Sequence, residues 1–145
     1  MLILENGAYG QRMIKMCRAL NIPYDALSFA EAERVDVNQV ADKLNSNAYT
    51  HVAIIHCETS SGILNPIDEI GQLVYNHGSQ KGSTVFIVDS MSAFGAIPVS
   101  LRNGQITYII SSANKCIEGV PGFAFIICKK QHLLTCQGLS MTMCK

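Results

Sequence analysis

The sequence has no tryptophan, only four prolines, and equal numbers of basic and acidic residues, 11 of each. Because the formal net charge is zero, no overall field attracts nucleic acid or an anionic membrane, and a nucleic-acid-binding function is disfavoured. No segment approaches the roughly 20 apolar residues that a membrane-spanning helix needs. The opening MLILENG is too short for the apolar core of a signal peptide and follows no basic segment. We therefore expect a soluble, cytoplasmic protein.

The cysteines also exclude a class of site. Six are present, at irregular spacings and without a CxxC pair or a paired zinc-ligand pattern: Cys17, Cys57, Cys116, Cys128, Cys136 and Cys144. Most lie in or beside apolar runs, which favours free, buried thiols in a reducing compartment over a disulfide framework or a metal site. The last two, near the C-terminus, are left open as exceptions.

Apolar residues make up 48% of the 145 residues, which is enough for the core of one domain. They follow two alternating periodicities. Continuous apolar runs of strand length are predicted at 1–6, 24–29, 51–58, 83–89, 106–112 and 123–130. Between them, helical spacing of apolar residues predicts helices at 10–21, 36–47 and 65–78, the last ending at Gly78. Strands that are apolar on both faces, alternating with amphipathic helices, indicate an α/β three-layer fold: a mostly parallel sheet with helices on both sides.

Two charged residues of opposite sign come just after two of these strands. Asp89 ends STVFIVD, and Lys115 follows ITYIISSAN. Carboxyl ends of parallel strands meet at one edge of a sheet, where ligands of such folds bind. A nucleophilic lysine needs a carbonyl partner, and a buried aspartate needs a cation. A pyridinium ring that carries an aldehyde, as in pyridoxal 5′-phosphate, meets both requirements.

Four segments resemble one enzyme family. NGAYGQRM, HCETSSGILNPIDEIG, VDSMSAFGAIP and SSANKCIEGVPGFAFII are similar to the class V (fold type I) pyridoxal-phosphate-dependent aminotransferases, over about residues 1–132. Within that family they are most similar to the branch that transfers an amino group from 2-aminoethylphosphonate to pyruvate. The resemblance implies the large cofactor-binding domain of that fold, and homodimers with the cofactor at the subunit boundary.

The resemblance also implies roles for the two charged residues. Lys115 would be the catalytic lysine, bonded to the cofactor aldehyde and carrying a proton between the substrate Cα and cofactor C4′. Asp89 would pair with the pyridine nitrogen and make the ring an electron sink. Taken without the resemblance, a single lysine in such a loop is ordinarily solvated, and Asp89 could be a turn residue.

Four further residues match cofactor-binding positions of the family. Tyr9 would stack on one face of the ring and Met91 would pack on the other. Thr59 would hydrogen-bond the phenolic oxygen, and Asn114 would help to bind the phosphate. By the residues alone, Tyr9 is equally well interpreted as a core aromatic, and Met91 and Thr59 as packing or turn residues.

The chain departs from the family at both ends. No small-residue loop that could cradle a phosphate at a helix N-terminus precedes MLILENG. The small C-terminal domain, with its substrate-clamping arginine, has no counterpart, and residues 133–145 follow the family only loosely. We interpret residues 1–132 as a partial cofactor-binding domain and residues 133–145 as a divergent or truncated tail, and we expect the chain alone to lack full activity. A fragment that exposes half an interface should also be poorly soluble or oligomeric.

The same residues are compatible with other functions. An alanine–glyoxylate or serine–pyruvate aminotransferase shares much of the pattern, and a non-catalytic truncated product that acts only through association is the alternative of another class. His56 and Cys57 are adjacent in a strand and point to opposite faces, so a nucleophilic pair is disfavoured. NGAYG is not a G-x-G-x-x-G fingerprint, which disfavours a dinucleotide-dependent dehydrogenase.

Overall fold

The computed structural model describes residues 1–136 and forms one six-stranded sheet, a two-stranded hairpin and four helices within that range. The strands are β1 (Leu2–Glu5), β2 (Asp25–Ser28), β3 (His51–Ile55), β4 (Cys57–Glu58), β5 (Ile63–Leu64), β6 (Val85–Asp89), β7 (Tyr108–Ser112) and β8 (Ala124–Cys128). The helices are α1 (Ala8–Ala19), α2 (Val37–Ser46), α3 (Ile67–Lys81) and α4 (Lys130–Thr135).

The sheet has the strand order β2-β1-β3-β6-β7-β8, and all its pairs are parallel except β7 with β8. The register places Ile55 of β3 opposite Asp89, and Asp89 opposite Ile110 of β7. The carboxyl ends of β1, β3, β6 and β7 therefore share one edge, called the rim below. This confirms the predicted α/β fold, and the loops that follow these four strands lie at the same edge.

One face of the sheet carries the main hydrophobic core. Alternate residues of the central strands, such as Val52, Phe86 and Ile109, are buried there against α2 and α3. The helix α2 begins at a capping aspartate, Asp36, whose Oδ1 accepts the N–H groups of the residues two and three positions later at 2.7 and 3.1 Å. The predicted apolar stripe of α3, including Ile70, is buried as expected.

The opposite face is covered only in part. There α1 packs over Ile3 and Ala53, which are buried, whereas Ile87 and Ile110 further along the sheet are half-buried. The apolar stripe of α1 does not fill a core as its spacing predicts. Cys17 is buried, but 55% of Met16 and 64% of the Leu20 surface are exposed. These side chains form the wall of an open cavity instead.

Two element boundaries differ from the sequence prediction. The apolar run 51–58 is not one strand: β3 ends at Ile55, and Cys57–Glu58 turns away to pair antiparallel with β5. Helix α3 does not end at Gly78 but continues to Lys81. Gly78 is instead needed for close packing, because a Cβ there would lie 2.7 Å from the backbone nitrogen of Thr84.

The structure also bears on the predictions about the cysteines, the C-terminal tail and association. The cysteines described, at 17, 57, 116, 128 and 136, are free. Cys17 is buried, but Cys57, Cys116 and Cys128 are only half-buried, so the prediction of buried thiols is wrong for these three. Cys136, which the prediction left open, is exposed. Cys144 and most of the tail at 133–145 lie outside the described residues. Within residues 1–136 no helix has both the length and the hydropathy to cross a bilayer, and no group of three metal-ligating side chains occurs. On strand β8, 61% of the surface of Ile126 is exposed. Exposed apolar surface of this kind is what the predicted association requires.

Candidate cofactor site at the rim

A cavity of about 1000 Å³ runs along the incompletely covered face of the sheet, from the rim to the other end of α1. Its walls come from α1, from β3, β6 and β7, and from the loops at both ends. The lining residues are Met1, Tyr9, Arg12, Met13, Met16, Cys17, Leu20, Ile22, Pro23, Thr50, His51, Ala53, Ile87, Asp89, Met91, Ser92, Ile110 and Lys115. Most of this wall is apolar, and its charged groups are concentrated at the rim.

Asp89 is the last residue of β6 and is half-buried at the rim end of the cavity. Its Oδ1 accepts the Met91 N–H at 2.9 Å, which fixes the carboxylate as the chain turns away from the sheet. Burial raises the pKa of Asp89 above its usual value, and the negative charge of Glu58 raises it further. The Met91 N–H and the positive charges of Arg12 and Lys115 act in the opposite direction. A carboxylate in this state is stabilised by a cation or a proton donor placed beside it.

Lys115 lies three residues after β7, in the loop that leads to β8. Two backbone bonds fold this loop: Glu118 N–H donates to the Lys115 carbonyl and Gly119 N–H to the Ala113 carbonyl, both at 2.8 Å. The Lys115 side chain is exposed, and its amine donates no hydrogen bond to another residue of the described range. It lines the same cavity as Asp89 and contributes to the electrostatic environment of that carboxylate.

The other predicted cofactor residues are placed in two groups. Tyr9, at the start of α1, and Met91, two residues after Asp89, line the cavity with the acid and the amine. Thr59 and Asn114 are exposed at the rim and do not line the cavity in the described structure. Thr59 is nevertheless connected to it, because its Oγ1 lies 2.5 Å from the Oγ of the lining residue Ser92.

Arg12 is a cavity residue that the sequence interpretation missed. It lies on α1 three residues after Tyr9, nearly one helical turn, and so on the same side of the helix. The positive charge of Arg12 is close enough to lower the pKa of Asp89. The spacing between Tyr9 and Arg12 could have indicated this position, since both would then face the sheet edge.

A buried pair of amides fixes the loop that leads into α1. Asn6 donates from Nδ2 to the Asn65 Oδ1 at 3.0 Å, and Asn65 donates in return to the Asn6 Oδ1 at 3.2 Å. Asn65 also donates to the Ile55 carbonyl at 2.9 Å and accepts the Val35 N–H at 3.1 Å. The rim loops after β1, β2 and β3 are thereby joined. The two asparagines cannot be recognised as a pair from sequence, because they lie 59 positions apart.

His56 and Cys57 have no features of a nucleophilic pair. The Nδ1 of His56 is 3.0 Å from Ser90 Oγ, in the interior, and burial lowers the pKa of this imidazole. Burial raises the pKa of the Cys57 thiol, which disfavours the reactive thiolate. The premise that both residues lie in one strand is wrong, because His56 lies between β3 and β4. The contact of His56 with Ser90 and the two pKa shifts still disfavour a nucleophilic pair.

The cavity suits the ring of a pyridoxal cofactor better than its phosphate. The ring end offers an acid with a raised pKa, an amine without a hydrogen-bond partner in the described range, and an aromatic side chain. Phosphate groups commonly bind at helix N-termini, but α1, α2 and α3 each have acidic groups there. Glu58 accepts N–H groups of α1, Asp36 caps α2, and Asp68 and Glu69 occupy the first turn of α3.

Comparison with known proteins decides the family. The model of the family described as aminotransferase class-V matches residues 5–142, nearly the whole sequence. The chain belongs to the class-V aminotransferase family. Among relatives of this class-V aminotransferase chain, two named 2-aminoethylphosphonate–pyruvate transaminase are 49% identical (Phocaeicola vulgatus) and 46% identical (Bacteroides fragilis). Each alignment covers 99% of this chain and 38% of the relative, so the chain spans well under half of their length.

Solved structures of aminotransferases agree with this class-V assignment. Pyridoxamine–pyruvate aminotransferase from Mesorhizobium loti matches 90% of the chain and 32% of its own, with 29% identity and a TM-score of 0.79. Alanine–glyoxylate aminotransferase from a Nostoc species matches 92% of the chain and 34% of its own, with a TM-score of 0.81. At 22% identity the second likeness shows the fold alone.

Proposed function

We propose that this chain is part of an aminotransferase that uses pyridoxal 5′-phosphate to transfer the amino group of 2-aminoethylphosphonate to pyruvate, with phosphonoacetaldehyde and alanine as products. The observation that carries the proposal is the shared cavity of Asp89 and Lys115. Relatives named for this reaction, 46–49% identical over 99% of the chain, support the choice of substrates. Pyruvate is also in the name of the structural relative at 29% identity, which supports pyruvate as the amino acceptor.

The rim residues would hold the cofactor ring. When bound, pyridoxal 5′-phosphate supplies an electron-accepting ring that stabilises negative charge on the substrate carbon. Asp89 would keep a proton on the ring nitrogen, since its carboxylate gains most from a positive neighbour. Lys115 would bind the aldehyde carbon and, once released, move a proton as a base. Tyr9 and Met91 would hold the ring between them, and Thr59 and Asn114 would contact its phenolic oxygen and phosphate. The predicted homodimer stays part of this proposal.

The substrates are tested by absorbance of the cofactor in the presence of the chain. Adding 2-aminoethylphosphonate should convert bound cofactor to its amine form, and pyruvate should restore the aldehyde form with one equivalent of alanine. The matched comparison is L-serine, the donor of the alternative serine–pyruvate reaction. Conversion by L-serine without conversion by 2-aminoethylphosphonate would favour that alternative. If neither converts cofactor that is bound, the chain holds the ring but lacks the proposed reaction.

The helix N-termini predict a weak contribution of the phosphate to binding. We expect pyridoxal 5′-phosphate to bind this chain only about tenfold more tightly than pyridoxal, the effect of the one phosphate contact proposed for Asn114. A phosphate in a cradle of N–H groups gains charged hydrogen bonds, each of which normally changes affinity about tenfold or more. Absorbance titrations with both aldehydes measure the ratio. A preference of about a hundredfold or more for the phosphorylated form would show that further residues of this chain, besides Asn114, bind the phosphate.

A further inference from the structure

Glu58 is a fully buried carboxylate, with 0% of its surface exposed. Within residues 1–136 it forms no ion pair; the ion pair found there joins Lys43 and Asp25. A buried charge without compensation is strongly unfavourable, so such a group is kept only where other interactions stabilise it.

The N-terminus of α1 supplies the compensation. The Tyr9 N–H lies 3.3 and 3.2 Å from the two carboxylate oxygens of Glu58, and the Gly10 N–H lies 3.2 Å from Oε2. Ser60 adds its N–H at 3.2 Å and its hydroxyl at 3.0 Å, both to Oε1. The positive end of the helix dipole and otherwise unsatisfied N–H groups therefore meet a negative charge. Glu58 acts as the cap of a helix nearly 50 residues earlier in the chain.

The absence of a side chain at Gly7, the N-cap position of α1, leaves space for the Glu58 side chain. Gly7 precedes α1 and contributes no side-chain cap. A Cβ at this position would lie 2.5 Å from Cγ of Glu58 and 2.7 Å from the hydroxyl of Ser60. That hydroxyl also accepts the Ala8 N–H at 3.2 Å. The close approach is thus built into the sequence at Gly7, and the helix start is fixed to the loop after β3.

The contacts continue from Glu58 to the other rim loops. Thr59, the next residue, is hydrogen-bonded to Ser92 at 2.5 Å. Cys116, next to the proposed catalytic lysine, donates its thiol hydrogen to the Ser92 carbonyl at 3.4 Å. These contacts, together with the peptide bond between Glu58 and Thr59, join the start of α1 to the loops that follow β3, β6 and β7.

We propose that Glu58 is a positioning residue for the cofactor ring: it fixes the backbone of Tyr9, and so the tyrosine ring, relative to Thr59 and the Asp89 loop. This inference rests on the proposed function, because the ring to be positioned is that of the pyridoxal cofactor. It assigns to Glu58 no contact with substrate or cofactor. Glu58 would hold Tyr9, the residue proposed to stack on the ring, at a fixed distance from the sheet residues that line the cavity.

The test compares Glu58→Gln with Glu69→Gln, a change of the same kind at an exposed position on α3. Pyridoxal 5′-phosphate is titrated into each variant, and both the absorbance and the circular dichroism of the cofactor band are recorded. We expect Glu58→Gln to weaken binding about tenfold, as loss of a hydrogen bond to a charged group does, and to reduce the dichroism per bound cofactor. Glu69→Gln should match the wild type in both.

A double-mutant comparison separates positioning from a general loss of structure. In a Tyr9→Ala background, Glu58→Gln should weaken cofactor binding no further, because the side chain that it positions is gone. If Glu58→Gln does not fold, Ser60→Ala replaces it in both backgrounds; it keeps the carboxylate and should weaken binding about threefold. Equal affinities of the wild type and the folded Glu58 variant, or additive losses with Tyr9→Ala, would overturn this inference alone. Failure of the wild type to bind cofactor would overturn it together with the proposed function.

Discussion

Replacing Lys115 with alanine is expected to abolish the absorbance band that pyridoxal 5′-phosphate acquires on binding to the wild-type chain. Only an amine can form the covalent bond to the aldehyde carbon, and within the described cavity lining Lys115 is the lysine beside Asp89. Lys115→Arg should lose the band as well, although it keeps the positive charge, because a guanidinium does not replace the amine as a nucleophile. The expected loss is complete rather than partial.

The matched control for this prediction is Lys15→Ala. Lys15 is exposed on α1 and does not line the described cavity, so its removal should leave the band unchanged. Both variants are measured by absorbance and by cofactor retained after gel filtration. A band of wild-type intensity in Lys115→Ala would show that another amine binds the aldehyde, and the assignment of Lys115 would be wrong.

Asp89→Asn is expected to decrease the proposed amino transfer by at least about 10²-fold, the effect of removing one well-placed electrostatic partner in an active site. Asparagine keeps an oxygen for the Met91 N–H, so the turn after β6 should persist. What is lost is the negative charge that would keep the ring nitrogen protonated. Rates with 2-aminoethylphosphonate and pyruvate measure the decrease. An unchanged rate would show that the role proposed for Asp89 is wrong.

Without cofactor, Asp89→Asn should increase the thermal stability of the chain at neutral pH. The pKa of Asp89 is raised in the folded chain, chiefly by burial, so its contribution to stability is fully present below the unfolded pKa, near 4. That contribution is lost as the pH rises through the folded pKa. Asparagine does not ionise, and Asp89→Asn should therefore have the higher melting temperature at neutral pH, by a few degrees. The difference should shrink as the pH falls towards 4. A wild type that is the more stable protein at pH 7 would contradict this expectation.

The location of the site could be predicted from sequence because it depends on topology. Apolar runs that alternate with amphipathic helices determine a parallel sheet, and the carboxyl ends of its strands then share an edge. Asp89 ends one such strand and Lys115 lies three residues after another, so the sequence predicts both at the same edge, and both line one cavity in the structure. No side-chain detail was needed.

Contacts between distant residues could not be predicted in this way. The Glu58 cap joins residues 48–49 positions apart and depends on a hairpin that interrupts the apolar run after Ile55. Helical spacing on α1 also could not distinguish a core stripe from a cavity wall, since both are apolar. The spacing places Met16 and Leu20 on one apolar stripe of α1, and the structure leaves more than half of each exposed.

The most direct test of the account is a crystal structure of this chain treated with pyridoxal 5′-phosphate and then with borohydride, which makes the lysine–cofactor bond permanent. The account predicts the pyridoxyl group on Nζ of Lys115, with the ring nitrogen about 2.7–3.0 Å from a carboxylate oxygen of Asp89. A pyridoxyl group on another lysine, or a ring on Lys115 with its nitrogen directed away from Asp89, would contradict it.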